Sequence, residues 1–172
     1  QLRKISVTIH HSPTLLLPAW ERAVEIVKLK LKKLPRDVRT RWNSTFRMLD
    51  VALEYRMAIE RMTDAQANNL RRWELDEREW EIARQLRDIL QVSSHFVGED
   101  APTLTDVIPS MDIIDERLAT DTTNAELDPA IRIAIGCAKR TINHYYDKSD
   151  ESAAYRISMS EYCITLLYAC HS

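Results

Sequence analysis

The sequence predicts a mostly α-helical fold, an irregular multi-helix bundle with at most one or two short extended segments. Three observations carry this. Gly98 and Gly136 are the only glycines in 172 residues, whereas tight β-hairpin turns lean on glycine. Apolar residues recur at three- and four-residue spacing over long stretches, which is the period of a helix with one buried face. Cap and stop residues such as Asp76, Gly98 and Asp128-Pro129 bracket those stretches. A hydrophobic share of 45% beside 29% charged residues is the balance of a globular chain, and the length suffices for one domain with a real core.

Leu2–His10 is the ambiguous element. Ile5, Val7, Thr8 and Ile9 are β-branched, and helix and strand both remain open. Ser12-Pro13 breaks it. Pro18 takes a first-turn position, where its missing N–H costs nothing, and opens a helix from about Ala19 to Lys33. Trp20, Val24, Val27 and Leu31 lie on one face of it, and Leu34-Pro35 ends it. Residues 36–42 alternate basic and other side chains and read as a short extended segment. Asn43 or Ser44 then caps a long helix through about Met62. Its two apolar stripes, Phe46-Leu49-Leu53-Met57 and Ala52-Tyr55-Ile59-Met62, make an arc wide enough for two packing partners.

The next helix has the clearest start. Asp76 caps it, Glu79 reaches back, and Leu75 and Trp80 form a staple. Ala83, Leu86, Leu90 and Val97 continue the buried stripe, with Ile82, Ile89 and Phe96 beside it, and Gly98 stops it. Thr103 to Leu118 is another helix, kinked or restarted at Pro109. Asp128-Pro129 starts a helix to about Tyr146, and Asp150 caps a last one, roughly Glu151 to Tyr168.

The net charge of −2 conceals an asymmetry. Residues 1–47 hold eleven Lys/Arg against three Asp/Glu, and residues 48–172 hold thirteen against twenty-three. A basic head on an acidic body directs attention to a polyanion site at one end. Cys137, Cys163 and Cys170 are too few and too odd for a disulfide framework, and fit a reducing, nuclear or cytoplasmic setting. No apolar run approaches the roughly 20 residues that span a bilayer. The chain opens on Gln rather than Met, without a secretory core, and reads as an excerpt or a processed product.

The run Asp37-Val38-Arg39-Thr40-Arg41-Trp42-Asn43-Ser44-Thr45-Phe46-Arg47-Met48-Leu49 resembles the Asp-Val-x-Thr-Arg-Trp-Asn-Ser-Thr-x-x-Met-Leu segment of hAT-family DNA transposases, the fungal ones especially. Leu75-Asp76-Glu77-Arg78-Glu79-Trp80, then Pro102-Thr103-Leu104-Thr105-Asp106-Val107-Ile108-Pro109, then Tyr145 through Ile157 resemble the same family in the same order. The resemblance implies a ribonuclease-H-like domain interrupted by an all-helical insertion. Residues 1–42 would then be a remnant of the catalytic domain, 43–158 the helical insertion, and 159–172 a divergent tail, helical in expectation. The family holds divalent metals on two aspartates and a glutamate to cut and join DNA. Both aspartates, and a Cys-x-x-His stretch, precede the Thr-Arg-Trp-Asn-Ser segment, and the glutamate follows the insertion. No catalytic residue therefore carries over. After Tyr155-Arg156-Ile157 the chain departs from the family's Ala-Met-Val-Leu-His-Pro pattern to Ser158-Met159-Ser160.

The strongest candidate site is Lys28, Lys30, Lys32, Lys33, Arg36, Arg39 and Arg41, opposed only by Asp37. Cations set against phosphates release counterions and bind without regard to sequence, and Trp42 could stack on an unpaired base. The plainer reading makes the lysines a solvated helix face and Trp42 a core anchor. Trp73, after Arg71-Arg72, is a second stacking candidate, while Trp80 at a staple position reads as core. Cys163, Cys170 and His171, like His10-His11, fit no standard zinc pattern. No phosphate loop, nucleophilic triad, cofactor, metal or small-molecule ligand is implied.

Two functions follow from different classes. One is a non-catalytic transposase-derived fragment that binds DNA without sequence preference. The other is a helical interaction or structural module with no nucleic-acid role, with self-association through the Ile164-Leu166-Leu167-Tyr168 end as its expected mode. An active metal nuclease is disfavoured, because the acids scatter over helix faces and caps.

Overall fold

The computed structural model describes residues 1–38, 42–95 and 104–153; of Trp42, residues 92–95 and 104–110, and Asp150, it describes the backbone alone. Helices dominate, and no strand occurs among the described residues. The chain divides into two compact units, Gln1–Gln91 and Val92–Ser172. No helix among the described residues is long and apolar enough to cross a membrane.

The first unit holds α1 (Leu2–His10), α2 (Leu16–Ile26), α3 (Trp42–Glu54), α4 (Arg56–Asp64) and the start of α5 (Glu77–His95), with 3-10 turns at Gln66–Asn68 and Arg71–Trp73. The ambiguous first segment is a helix, since Leu2, Ile5 and Ile9 recur on one buried face and α1 packs on α2 and α3. One hydrophobic cluster runs through the unit, with Trp20, Val24, Ala58 and Ile59 at its centre. Of the two stripes expected on the long helix, Ala52, Tyr55, Ile59 and Met62 are buried throughout; in the other, Leu49 is buried and Leu53 packs against the core, whereas Met57 is 69% exposed.

Two boundaries differ from the sequence expectation. α2 ends at Ile26, not near Lys33. Lys28 turns left-handed at φ 58, and the N–H groups of Lys28 and Leu29 bond back to the carbonyls of Glu25 (3.0 Å) and Val24 (3.2 Å). This is the paired closure usually built on glycine; here a lysine occupies the strained position. Lys28→Gly is therefore expected to stabilise the protein by about 0.5–1 kcal/mol, the left-handed penalty for a side chain less the entropy of glycine. An urea midpoint unchanged or lowered at constant slope would contradict this.

The long helix is likewise two helices, broken at Tyr55 (φ −99, ψ 20). Asn43 and Ser44 do not precede a helix, because α3 already begins at Trp42. Where the sequence promises a capping box, the structure has one. Asp76 Oδ1 accepts from the Glu79 N–H at 2.7 Å, and Glu79 Oε2 accepts from the Asp76 N–H at 3.1 Å. Leu75 and Trp80 both join the core cluster. Asp76→Ala is expected to lower stability by about 1 kcal/mol, read as a shift in thermal midpoint.

In the second unit, α6 (Leu104–Thr123) and α7 (Pro129–Glu151) form a helix hairpin. Asp128 caps α7 by accepting from the Ala130 N–H at 2.8 Å, with Pro129 in its first turn. Leu118, Ile131 and Ile135 are buried. The Tyr146 hydroxyl donates to Asp112 at 2.6 Å and Lys139 lies 3.5 Å from Asp115, pairs that bridge the two antiparallel helices. Burial first, then the Asp112 carboxylate, raise the Tyr146 pKa and keep its hydroxyl a donor. α6 runs through Pro109 as one helix, and α7 continues past Tyr146, so Asp150 lies within it rather than capping a new one. Gly98, Phe96, Val97 and the helix expected from Glu151 to Tyr168 fall wholly or mostly outside the described residues.

Candidate nucleic-acid interface

Residues 29–38, between α2 and α3, form neither helix nor strand. They are nonetheless tied down, because four side chains, three from α1 and α2 and one from the break between α3 and α4, hold their carbonyls. The Tyr55 hydroxyl donates to the Lys30 carbonyl at 2.6 Å, and the Trp20 indole N–H to that of Lys32 at 2.9 Å. His10 Nε2 meets the Leu34 carbonyl at 2.7 Å, and the Ser6 hydroxyl donates to that of Pro35 at 2.9 Å. Trp20 and Tyr55 are both buried, with ring centroids 5.9 Å apart. Leu34 is buried beside them. The segment is a strap laid over the core, its carbonyls paired with side chains from the surrounding elements.

Because the backbone is held inward, the cations stand outward. Lys28, Lys30, Lys32, Lys33 and Arg36 are all exposed. Lys32 has a distant acid partner, Glu54 at 3.9 Å, an exposed pair of little energetic weight. A hollow of about 660 Å³ between α2 and the strap is lined by Glu21, Arg22, Glu25, Leu29 and Leu31, among others. Its two glutamates disfavour an anion on that side. Arg39 and Arg41, and the side chain of Trp42, lie outside the described residues.

Asp37, the one acid in the basic run, is turned away from it. Its side chain has no solvent exposure and pairs with the Arg3 guanidinium. It also accepts from the hydroxyls of Thr45 (2.8 Å) and Ser44 (2.9 Å). Burial pulls its pKa up, but the hydrogen bonds from Arg3, Thr45 and Ser44 outweigh burial and hold the carboxyl below its ordinary value. The Ser44 hydroxyl also accepts from the Val38 N–H at 2.8 Å. Thus Asp37, Ser44 and Thr45, three residues of the motif singled out in the sequence, are joined in one network that fixes the strap's far end. Sequence reasoning missed this role; the hydroxyls seven and eight residues after Asp37 were the signal.

The other candidates separate. Trp80 is buried in the core with the Arg56 guanidinium 5.2 Å from its ring centroid. Trp73 is half-buried, and Arg72 covers one ring face at 4.3 Å. His10 serves the strap and His11 is exposed. Cys137 is free and exposed, while Cys163, Cys170, His171 and the Ile164–Tyr168 seam lie outside the described residues. Among the described residues, no three His, Cys, Asp or Glu side chains gather as a metal ion would require.

Compared with known families, residues 2–89 match the model of the ZBED1 RNase-like helical domain. No curated protein and no solved structure matches the chain.

Proposed function

Since the chain belongs to the family of the ZBED1 RNase-like helical domain, we propose that it is a non-catalytic, transposase-derived module that binds DNA without sequence preference through its basic strap. The observation that carries this is the outward display of Lys28, Lys30, Lys32, Lys33 and Arg36 from a backbone whose carbonyls are held from within. Such an array meets phosphates and leaves base edges unread. Arg39, Arg41 and Trp42 extend the same site in this proposal, with Trp42 stacking on an unpaired base. The resemblance to fungal hAT transposases supports the rest of the reading. It assigns residues 1–42 to the end of a ribonuclease-H-like domain, 43–158 to a helical insertion and 159–172 to a divergent tail. It also places the metal-holding acids elsewhere in the family's sequence.

Fluorescence anisotropy with a mixed-sequence duplex tests the proposal. Affinity should fall steeply with salt, by about 0.9 in log K per log unit of salt for each phosphate neutralised, and should not depend on base sequence. Binding absent even at low salt would remove the DNA reading and leave the helical interaction module, for which sedimentation would have to show self-association. Nicking of plasmid DNA in magnesium or manganese would remove the non-catalytic assignment.

A further inference from the structure

We infer that Tyr55 and Trp20 are positioning residues for the strap: their hydrogen bonds to the Lys30 and Lys32 carbonyls hold those two lysines as a pre-set anion-binding array. Both donors are almost wholly buried, Tyr55 at 1% and Trp20 at 0% exposure. Neither side chain can therefore reach a ligand, and each acts only through the backbone it grips. Tyr55 interrupts what would otherwise be one helix from α3 into α4, and its hydroxyl goes to a residue 25 positions away. Burial, and then the nearby Glu54 charge, raise its pKa, so it remains a donor across the neutral range. The lysine side chains meanwhile emerge into solvent. A flexible loop with the same charges would lose backbone and side-chain freedom on meeting a polyanion; this strap has lost most of it beforehand.

Two arms test the inference, and only the second rests on the proposed DNA binding. The first is limited trypsin digestion of Tyr55→Phe, which keeps the ring in the core and deletes the donor. Trypsin must place the carbonyl of the cut lysine in its oxyanion hole, and in the wild type the Lys30 carbonyl is engaged by Tyr55. Cleavage after Lys30 should rise about fivefold, the size of one net hydrogen bond. Cleavage after Lys32, still held by Trp20, should rise less. A Lys30 cut no faster than in the wild type overturns the clamp.

The second arm is duplex-DNA affinity across a salt series. Tyr55→Phe should bind about threefold to tenfold more weakly with an unchanged salt slope, because no cation is lost. Lys30→Ala should make the slope shallower. Faster cleavage after Lys30 with unaltered DNA affinity overturns the positioning role. Faster cleavage in a protein whose wild type binds no DNA overturns the proposed function instead, and leaves the clamp standing.

Discussion

With Lys30, Lys32 and Lys33 replaced together by alanine, duplex DNA is expected to lose close to half of its salt-dependent hold on the protein. Three phosphate contacts removed make the slope of log K against log salt shallower by about 2.7. Between 50 and 200 mM salt, that is about a fortyfold smaller change in affinity. The fold should survive, because all three side chains are exposed and the groups holding the strap grip its carbonyls rather than its side chains. The loss of the weak Lys32–Glu54 pair is worth a fraction of a kcal/mol at most. Circular dichroism and a thermal melt close to wild type are thus part of the expected result. A salt slope unchanged in the triple variant would place the DNA contact elsewhere on the molecule.

Asp37→Ala is expected to lower stability by about 3 kcal/mol, the cost of removing a buried carboxylate that holds several donors at once. For a unit of this size that is roughly a 15 °C fall in midpoint. The loss falls toward the lower end for a buried pair, because Arg3 is 41% exposed and water compensates it in part. Thr45 and Ser44 lose their acceptor as well. Acidity should reproduce part of the effect. The folded carboxyl lies below its usual value, so the stabilisation is complete above the unfolded pKa of about 3.9. It is lost as pH falls through the folded value. Asp37→Asn should show a weaker dependence on pH below about 4 than the wild type. Equal acid sensitivity in both would show that Asp37 does not carry it.

Much of the helical plan was legible because it is written locally. The capping box at Asp76 and Glu79 and the Asp128-Pro129 start require only residues within three positions of each other. The misread boundaries have distant causes. Val27 and Leu31 continue the apolar period of α2, and nothing local forbids helix there. Yet Trp20, Tyr55 and His10 compete for the carbonyls beyond Lys28, and those partners become neighbours only after folding. Tyr55 itself looked like one more apolar stripe residue, because its hydroxyl's target lies 25 positions back. For the site, the cations were plain in the sequence. Their outward display was not, since it follows from what the backbone between them is bonded to.

A segment gripped by its main chain has unusual rules for sequence drift. Since the Lys30 and Lys32 carbonyls are what Tyr55 and Trp20 recognise, exchanges among solvated side chains at positions 30 to 33 leave the framework indifferent. Evolution is free to tune charge there almost independently of foldability. Length is the opposite case. One inserted residue would move every downstream carbonyl off its donor and pull Leu34 out of the core. Related chains should therefore differ in which residues occupy this stretch and agree in how many.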